Sequence, residues 1–94
     1  MTLVTERELR LSAAEIERSN GSPVRRARLL VRLARRARND AKRLAQGVAI
    51  LASDCMDDAA ERLWQAKRRR MDLSDEIRAR ARDILAGGPS ASHP

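Results

Sequence analysis

The chain has few of the residue types that carry most catalytic and metal chemistry. Its 94 residues include no phenylalanine, no tyrosine, one tryptophan, one cysteine and one histidine. The histidine, His93, lies in the tail expected over residues 87–94, where we expect it to complete no histidine-dependent triad. One histidine and one cysteine cannot supply a zinc cluster or an intramolecular disulfide. The sequence also lacks a glycine-rich phosphate-binding loop. We therefore expect a protein that is not an enzyme and that holds no cofactor and no metal.

Two further absences concern membranes and location. The first residues lack the basic start and the continuous apolar stretch of a signal peptide. Ahead of the C-terminal tail, the longest run without a charged residue is 44–53, about half of the ~20 residues needed to cross a bilayer. A lone cysteine suits a reducing compartment. These features predict a cytoplasmic protein with no membrane span.

The composition that is present favours helices. Alanine, leucine, arginine and glutamate are strong helix formers, whereas sheets favour the aromatic and β-branched residues. We predict an all-α fold with a single helical domain over residues 1–86 and a disordered tail over 87–94. An alanine-rich core without phenylalanine or tyrosine is thin, and a second copy or another protein would complete it. A homo-oligomer or an obligate complex is expected.

The first helix has a complete start signal. Thr5 followed three residues later by Glu8 is a capping box, so we expect a short N-terminal helix over residues 6–19. The Asn20-Gly21 dipeptide predicts a left-handed exit from that helix. Ser22-Pro23 then predicts an N-cap followed by proline at the first helical position.

A long amphipathic helix is predicted over residues 23–52. Apolar residues recur there at alternating spacings of three and four, which is typical of the heptad seam of packed helices. We expect this seam, which would continue to Cys55, to form an oligomer interface. The predicted interface residues are Leu30, Ala34, Ala37, Ala41, Leu44, Val48 and Leu51.

One or two further helices should follow. We favour a break at Ser53-Asp54, because acidic residues would then begin a helix and the basic run 67–70 would end it, as the helix macrodipole prefers. A second boundary near residues 72–74 would open a last helix. These elements would form a helical hairpin or bundle. The alternative is one rod running past Met71 in a coiled-coil dimer.

The positive charge is concentrated in the middle of the chain. Residues 1–24 carry three basic and four acidic side chains (−1), residues 25–52 carry nine and one (+8), and residues 53–94 carry eight and eight (0). At ~100° per residue, seven of the basic side chains project away from the apolar seam. They are Arg25, Arg28, Arg32, Arg35, Arg36, Lys42 and Arg43, and we call them the basic face.

The basic face predicts binding to the phosphates of DNA or RNA, since arginines at helical spacing neutralise phosphates and release counterions. Nothing in the sequence supplies base-specific contacts. The alternative is a protein-interaction module, such as an inhibitor, an antitoxin-like factor, a chaperone or an assembly adaptor. In that case the same arginines would meet an acidic protein partner.

Two other features have competing interpretations. The basic side chains of residues 67–70 and of Arg78, Arg80 and Arg82 form a second basic zone. Because Asp72, Asp75, Glu76 and Asp83 are interspersed there, we expect local ion pairs. Trp64 falls near the edge of the apolar stripe. We expect it to pack over the first helix, near Leu9 or Ile16, and the alternative is that it anchors a partner.

Overall fold

Three helices account for most of residues 4–87, which are the residues that the computed structural model describes. They are α1 (Glu6–Arg18), α2 (Pro23–Ser53) and α3 (Asp57–Leu85), and no strand occurs between residues 4 and 87. The predicted all-α fold is confirmed. Most of the expected C-terminal tail, residues 88–94, lies outside the described residues.

Local capping chemistry starts α1 and α2 where the sequence predicted. The Glu8 N–H donates to the Thr5 hydroxyl (3.1 Å) and the Thr5 N–H donates to the Glu8 carboxylate (3.4 Å), which completes the capping box. At the start of α2, the Ser22 hydroxyl accepts from the Arg25 N–H (3.2 Å), and Pro23 occupies the first turn. Both helix starts are confirmed.

The end of α1 differs from the prediction. Ser19 caps the helix in an extended conformation, and its N–H (3.2 Å) and its hydroxyl (2.7 Å) both donate to the Ile16 carbonyl. Among the described residues only Cys55 and Gly87 have positive φ, so the expected left-handed exit at Asn20-Gly21 is wrong. The serine hydroxyl satisfies a terminal carbonyl directly, and no left-handed residue is needed there.

The predicted break after Ser53 is confirmed, and a single rod past Met71 is wrong. The Met56 N–H donates to the Leu51 carbonyl (2.9 Å) and the Cys55 N–H donates to the Ala52 carbonyl (3.1 Å). With Cys55 at φ 60°, these bonds form a Schellman motif. Cys55 is therefore exposed in the turn and is not a seam residue, contrary to the prediction.

Cys55 occupies a backbone conformation that favours glycine, and this leads to a stability prediction. The left-handed region costs a residue with a side chain about 1–2 kcal/mol. Glycine avoids this cost, but it loses more conformational entropy on folding, so the net gain in stability is smaller. We expect Cys55→Gly to raise the free energy of unfolding by about 0.5–1 kcal/mol in urea titrations followed by circular dichroism. The control Ala49→Gly, in the exposed interior of α2, should lower it by about 1 kcal/mol. A loss in both variants would contradict the assignment.

The predicted boundary near residues 72–74 is also wrong, because α3 is continuous from Asp57 to Leu85. Ser74 is buried, and its hydroxyl donates to the Ala34 carbonyl of α2 (2.8 Å). A serine whose hydroxyl bonds a neighbouring helix no longer competes for its own backbone. The basic run 67–70 consequently lies in the middle of α3 and not at a helix end.

Helices α2 and α3 form an antiparallel hairpin. Ala34 meets Ser74, and Leu63 Cδ2 lies 2.6 Å from the place where a Cβ on Gly47 would stand. The hairpin buries most of the predicted oligomer interface within one chain: Leu30, Ala34, Ala37, Ala41 and Leu44 are buried, and Val48 and Leu51 are half-buried. The seam therefore packs on the chain's own α3, and its five buried side chains are not available to a second copy.

Helix α1 covers only part of this hairpin. It begins beside Arg69 and Arg70 and runs parallel to α3 as far as Arg80, away from the α2–α3 turn. The main core lies under it. This core consists of Leu9, Ala13, Ala27, Leu30, Ala34, Ala37, Leu73, Ile77 and Ala81. The remaining part, residues 44–67, is a two-helix segment that we call the distal half, and it gives the molecule its elongated shape of 56 × 26 × 16 Å.

Candidate nucleic-acid interface

All seven side chains of the basic face are exposed on one helix. From Arg25 to Arg43 they extend over about 27 Å, at a rise of ~1.5 Å per residue. The first four members are three or four residues apart, and at ~100° per residue all seven project to one side of the helix. The arrangement is a straight band of cations with no carboxylate among them.

Three carboxylates of α1 and α3, those of Glu6, Glu17 and Glu76, form ion pairs away from this band. Among the described residues, ion pairs join Arg10 to Glu6 (3.4 Å) and Glu76 (3.2 Å), Arg69 to Glu6 (3.4 Å), and Arg80 to Glu17 (3.6 Å). They fasten α1 to α3 and stabilise α1 itself. Six members of the basic face take part in no ion pair and no side-chain hydrogen bond within the described residues. These six are Arg25, Arg28, Arg32, Arg35, Arg36 and Lys42.

The charge of α2 itself adds to this imbalance. Asp40, its single carboxylate, is only 6% exposed and does not contribute to the surface of the band. The first turn of α2 contains no acidic residue, although the positive end of the helix dipole lies there. Arg25, in this turn, therefore adds positive charge where a helix least favours it. A bound anion would relieve this unfavourable electrostatic energy.

A shallow concavity of about 380 Å³ lies at this end of the band. Three arginines of the basic face border it, together with apolar side chains and the capping serine. Its lining consists of Ser22, Val24, Arg25, Arg28, Leu29 and Arg32. Three residues of the basic face therefore border one open depression.

The second basic zone divides between the two flanks of α3. The sequence predicted local pairs with the interspersed acids of α3. Arg69 and Arg80 instead pair with carboxylates of α1, so these ion pairs join two helices. Lys67 lies on the opposite flank, where it borders a concavity of about 190 Å³ with Arg38 and Lys42 of α2. The sequence does not indicate Arg38 as a site residue, because its place beside Lys67 depends on how α2 is aligned against α3.

Trp64 does not pack over α1. Leu9 belongs to the main core and Ile16 packs against it, whereas Trp64 lies in the distal half and is 36% exposed. The guanidinium of Arg68 lies 5.5 Å from the centroid of its ring, within the range of a cation–π contact. The expected packing over α1 is wrong, since α1 begins too far from the α2–α3 turn to reach this side chain.

Comparison with known proteins returned no matching family model, no curated relative and no solved structure. Between residues 4 and 87, no helix carries an apolar stretch long enough to cross a bilayer. Within the same residues, no three histidine, cysteine, aspartate or glutamate side chains come together as metal ligands. The geometry of the basic face is thus the main guide to function.

Proposed function

We propose that the protein binds nucleic acid by laying the basic face of α2 along backbone phosphates. The observation that supports this is the band of six exposed cations with no ion pair among the described residues, while Glu6 and Glu17 of α1 pair on other surfaces. Phosphate contacts of this kind provide affinity without base readout. The proposed function is therefore binding and not catalysis.

The arrangement of charge supports a long polyanion over a small anion. Six cations spread along one side of a helix meet several successive phosphates, and each contact releases counterions from the nucleic acid. The helix is also held rigidly, because its opposite face is packed on α3 and α1. The entropy cost of binding is therefore mainly that of immobilising the arginine side chains, because the backbone of α2 is already ordered.

A pair of triple variants with equal net charge tests the proposal. Replacing Arg28, Arg32 and Arg36 with alanine removes half of the unpaired band and lowers the formal charge from +7 to +4. We expect affinity for a fluorescein-labelled duplex or single strand to fall at least ~100-fold at ~0.1 M salt, since each lost phosphate contact removes close to a factor of ten. Fluorescence anisotropy measures the change.

The control replaces Arg7, Arg18 and Arg62 with alanine. These exposed side chains lie outside the basic face and also leave a charge of +4. This variant should lose far less affinity. Equal losses in both variants would show a response to net charge alone and would overturn the proposed site. Absence of binding to duplex and single strand by the unmodified chain would overturn the proposed function.

An acidic partner protein remains the alternative function, and purification distinguishes it. Nucleic-acid binding predicts copurifying absorbance at 260 nm that nuclease treatment removes. An acidic protein partner predicts a stoichiometric second polypeptide that nuclease treatment leaves in place.

A further inference from the structure

The distal half exposes apolar surface that α1 does not cover. The main core contains no residue between positions 38 and 72, so the turn end of the hairpin has only two helices. Ile50, Met56 and Trp64 are exposed there. Two helices without a third bury little apolar surface, and a further packed element would stabilise this end.

One face of α3, from the distal half to Met71, has an ordered charge pattern centred on Trp64. Asp57 and Glu61 precede Trp64 by seven and three residues, and Lys67 and Met71 follow it by three and seven. These spacings place all five side chains on one side of the helix. The stripe is negative towards the α2–α3 turn, aromatic in the middle and positive beyond it.

The concavity bordered by Lys67 lies on the same flank as Trp64. Its floor is apolar and its rim is cationic, and it is lined by Arg38, Ala41, Lys42, Ala45, Lys67 and Met71. At ~100° per residue, this flank of α3 is opposite Arg69 and Arg80, which meet α1, so α1 does not cover it. An indole suits such a site because its body is apolar and its ring face attracts cations.

We propose that a second copy of the chain docks on this flank, with the two α3 helices antiparallel and crossing near Trp64. Helical side chains lean towards the helix N-terminus, so the indole of Trp64 lies over the turn that contains Glu61. Glu61 and Lys67 are each three residues from Trp64. In the antiparallel arrangement, the turn of α3 that contains Glu61 therefore faces Lys67 of the second copy. Trp64 of each copy then packs against the concavity of the other copy.

A second copy fits this surface better than an unrelated acidic helix, because the chain itself carries both complementary halves. The twofold axis brings Glu61 of each copy to Lys67 of the other, so every charge contact occurs twice. Ala45 and Ala49 form the α2 side of the same flank, and their small side chains allow close approach. This dimer replaces the seam interface that the hairpin buries, and it does not rest on nucleic-acid binding.

The oligomeric mass of the full chain after nuclease treatment tests the contact. At ~0.15 M salt we expect light scattering on a sizing column to give twice the 10.5 kDa chain mass. Trp64→Ala should raise the dimer dissociation constant at least ~30-fold, as for a central tryptophan anchor. The control Leu11→Ala, on exposed α1, should leave the constant unchanged. A chain that stays at 10.5 kDa up to millimolar concentration overturns the proposal.

Charge exchange tests the register. Glu61→Lys and Lys67→Glu should each weaken the homodimer about tenfold or more, because two like-charged contacts replace two attractive ones. An equimolar mixture of the two variants should form a heterodimer with the original affinity, since both contacts are then attractive. Glu15→Lys, an exposed change of the same charge on α1, is the control for net charge. A mixture that stays as weak as the single variants overturns the proposed register.

Discussion

Ile77→Ala should lower the free energy of unfolding by about 2–5 kcal/mol, whereas Ile50→Ala should change it by less than about 0.5 kcal/mol. The two isoleucines are chemically identical and both lie in long helices, but Ile77 is 0% exposed and Ile50 is 63% exposed. Truncating Ile77 leaves a cavity where α1, α2 and α3 meet, beside Leu30 and Leu73 of the same core. Truncating Ile50 removes a side chain that is mostly in water.

The expected loss is large compared with the stability of so small a domain. At ~0.05–0.15 kcal/mol per residue, a chain of this length has roughly 5–14 kcal/mol in total. Its core contains many alanines, so each large buried side chain contributes an unusually large share. Urea titration followed by circular dichroism measures both variants, and the midpoint should fall without a change in slope. Equal effects of the two substitutions would contradict the assignment of Ile77 to the core.

Features that depend on local chemistry could be predicted from the sequence. The capping box at Thr5 and Glu8 and the Ser22-Pro23 start of α2 each involve atoms within three residues of one another, so the printed sequence contains all the partners. The exposure of the basic face likewise follows from the 3.6-residue period of α2. The break after Ser53 was predicted from charge order. The Schellman motif that makes this break could not be predicted, because a cysteine gives no indication that its backbone adopts the left-handed conformation.

Features that depend on contacts between helices could not be predicted. Residues 72–74 suggest a helix start in the sequence. In the structure the Ser74 hydroxyl donates to the Ala34 carbonyl, forty positions away in the chain, and the helix continues. A heptad seam shows that a helix packs, but not whether its partner is α3 or a second copy. The position of Trp64 depends on where α1 begins along the hairpin. The composite flank formed by Arg38, Lys42 and Lys67 depends on the register of α2 against α3.

The affinity for duplex DNA should fall about 1,000-fold when the salt concentration rises from ~50 to ~200 mM. Each neutralised phosphate contributes about −0.9 to the slope of log affinity against log salt concentration. The six unpaired cations of the basic face therefore predict a slope of about −5 per bound copy. The corresponding slope for a single strand is about −4.

The slope counts contacts, so it locates the binding surface independently of absolute affinity. Replacing Arg28, Arg32 and Arg36 with alanine should reduce the slope to about −3, because three of the six contacts are removed. The control that replaces Arg7, Arg18 and Arg62 should keep a slope near −5. A slope shallower than about −2 in the unmodified chain would contradict phosphate binding along α2. Anisotropy titrations at four or more salt concentrations provide the measurement, and the Trp64→Ala variant supplies the value for a single copy free of the proposed dimer contact.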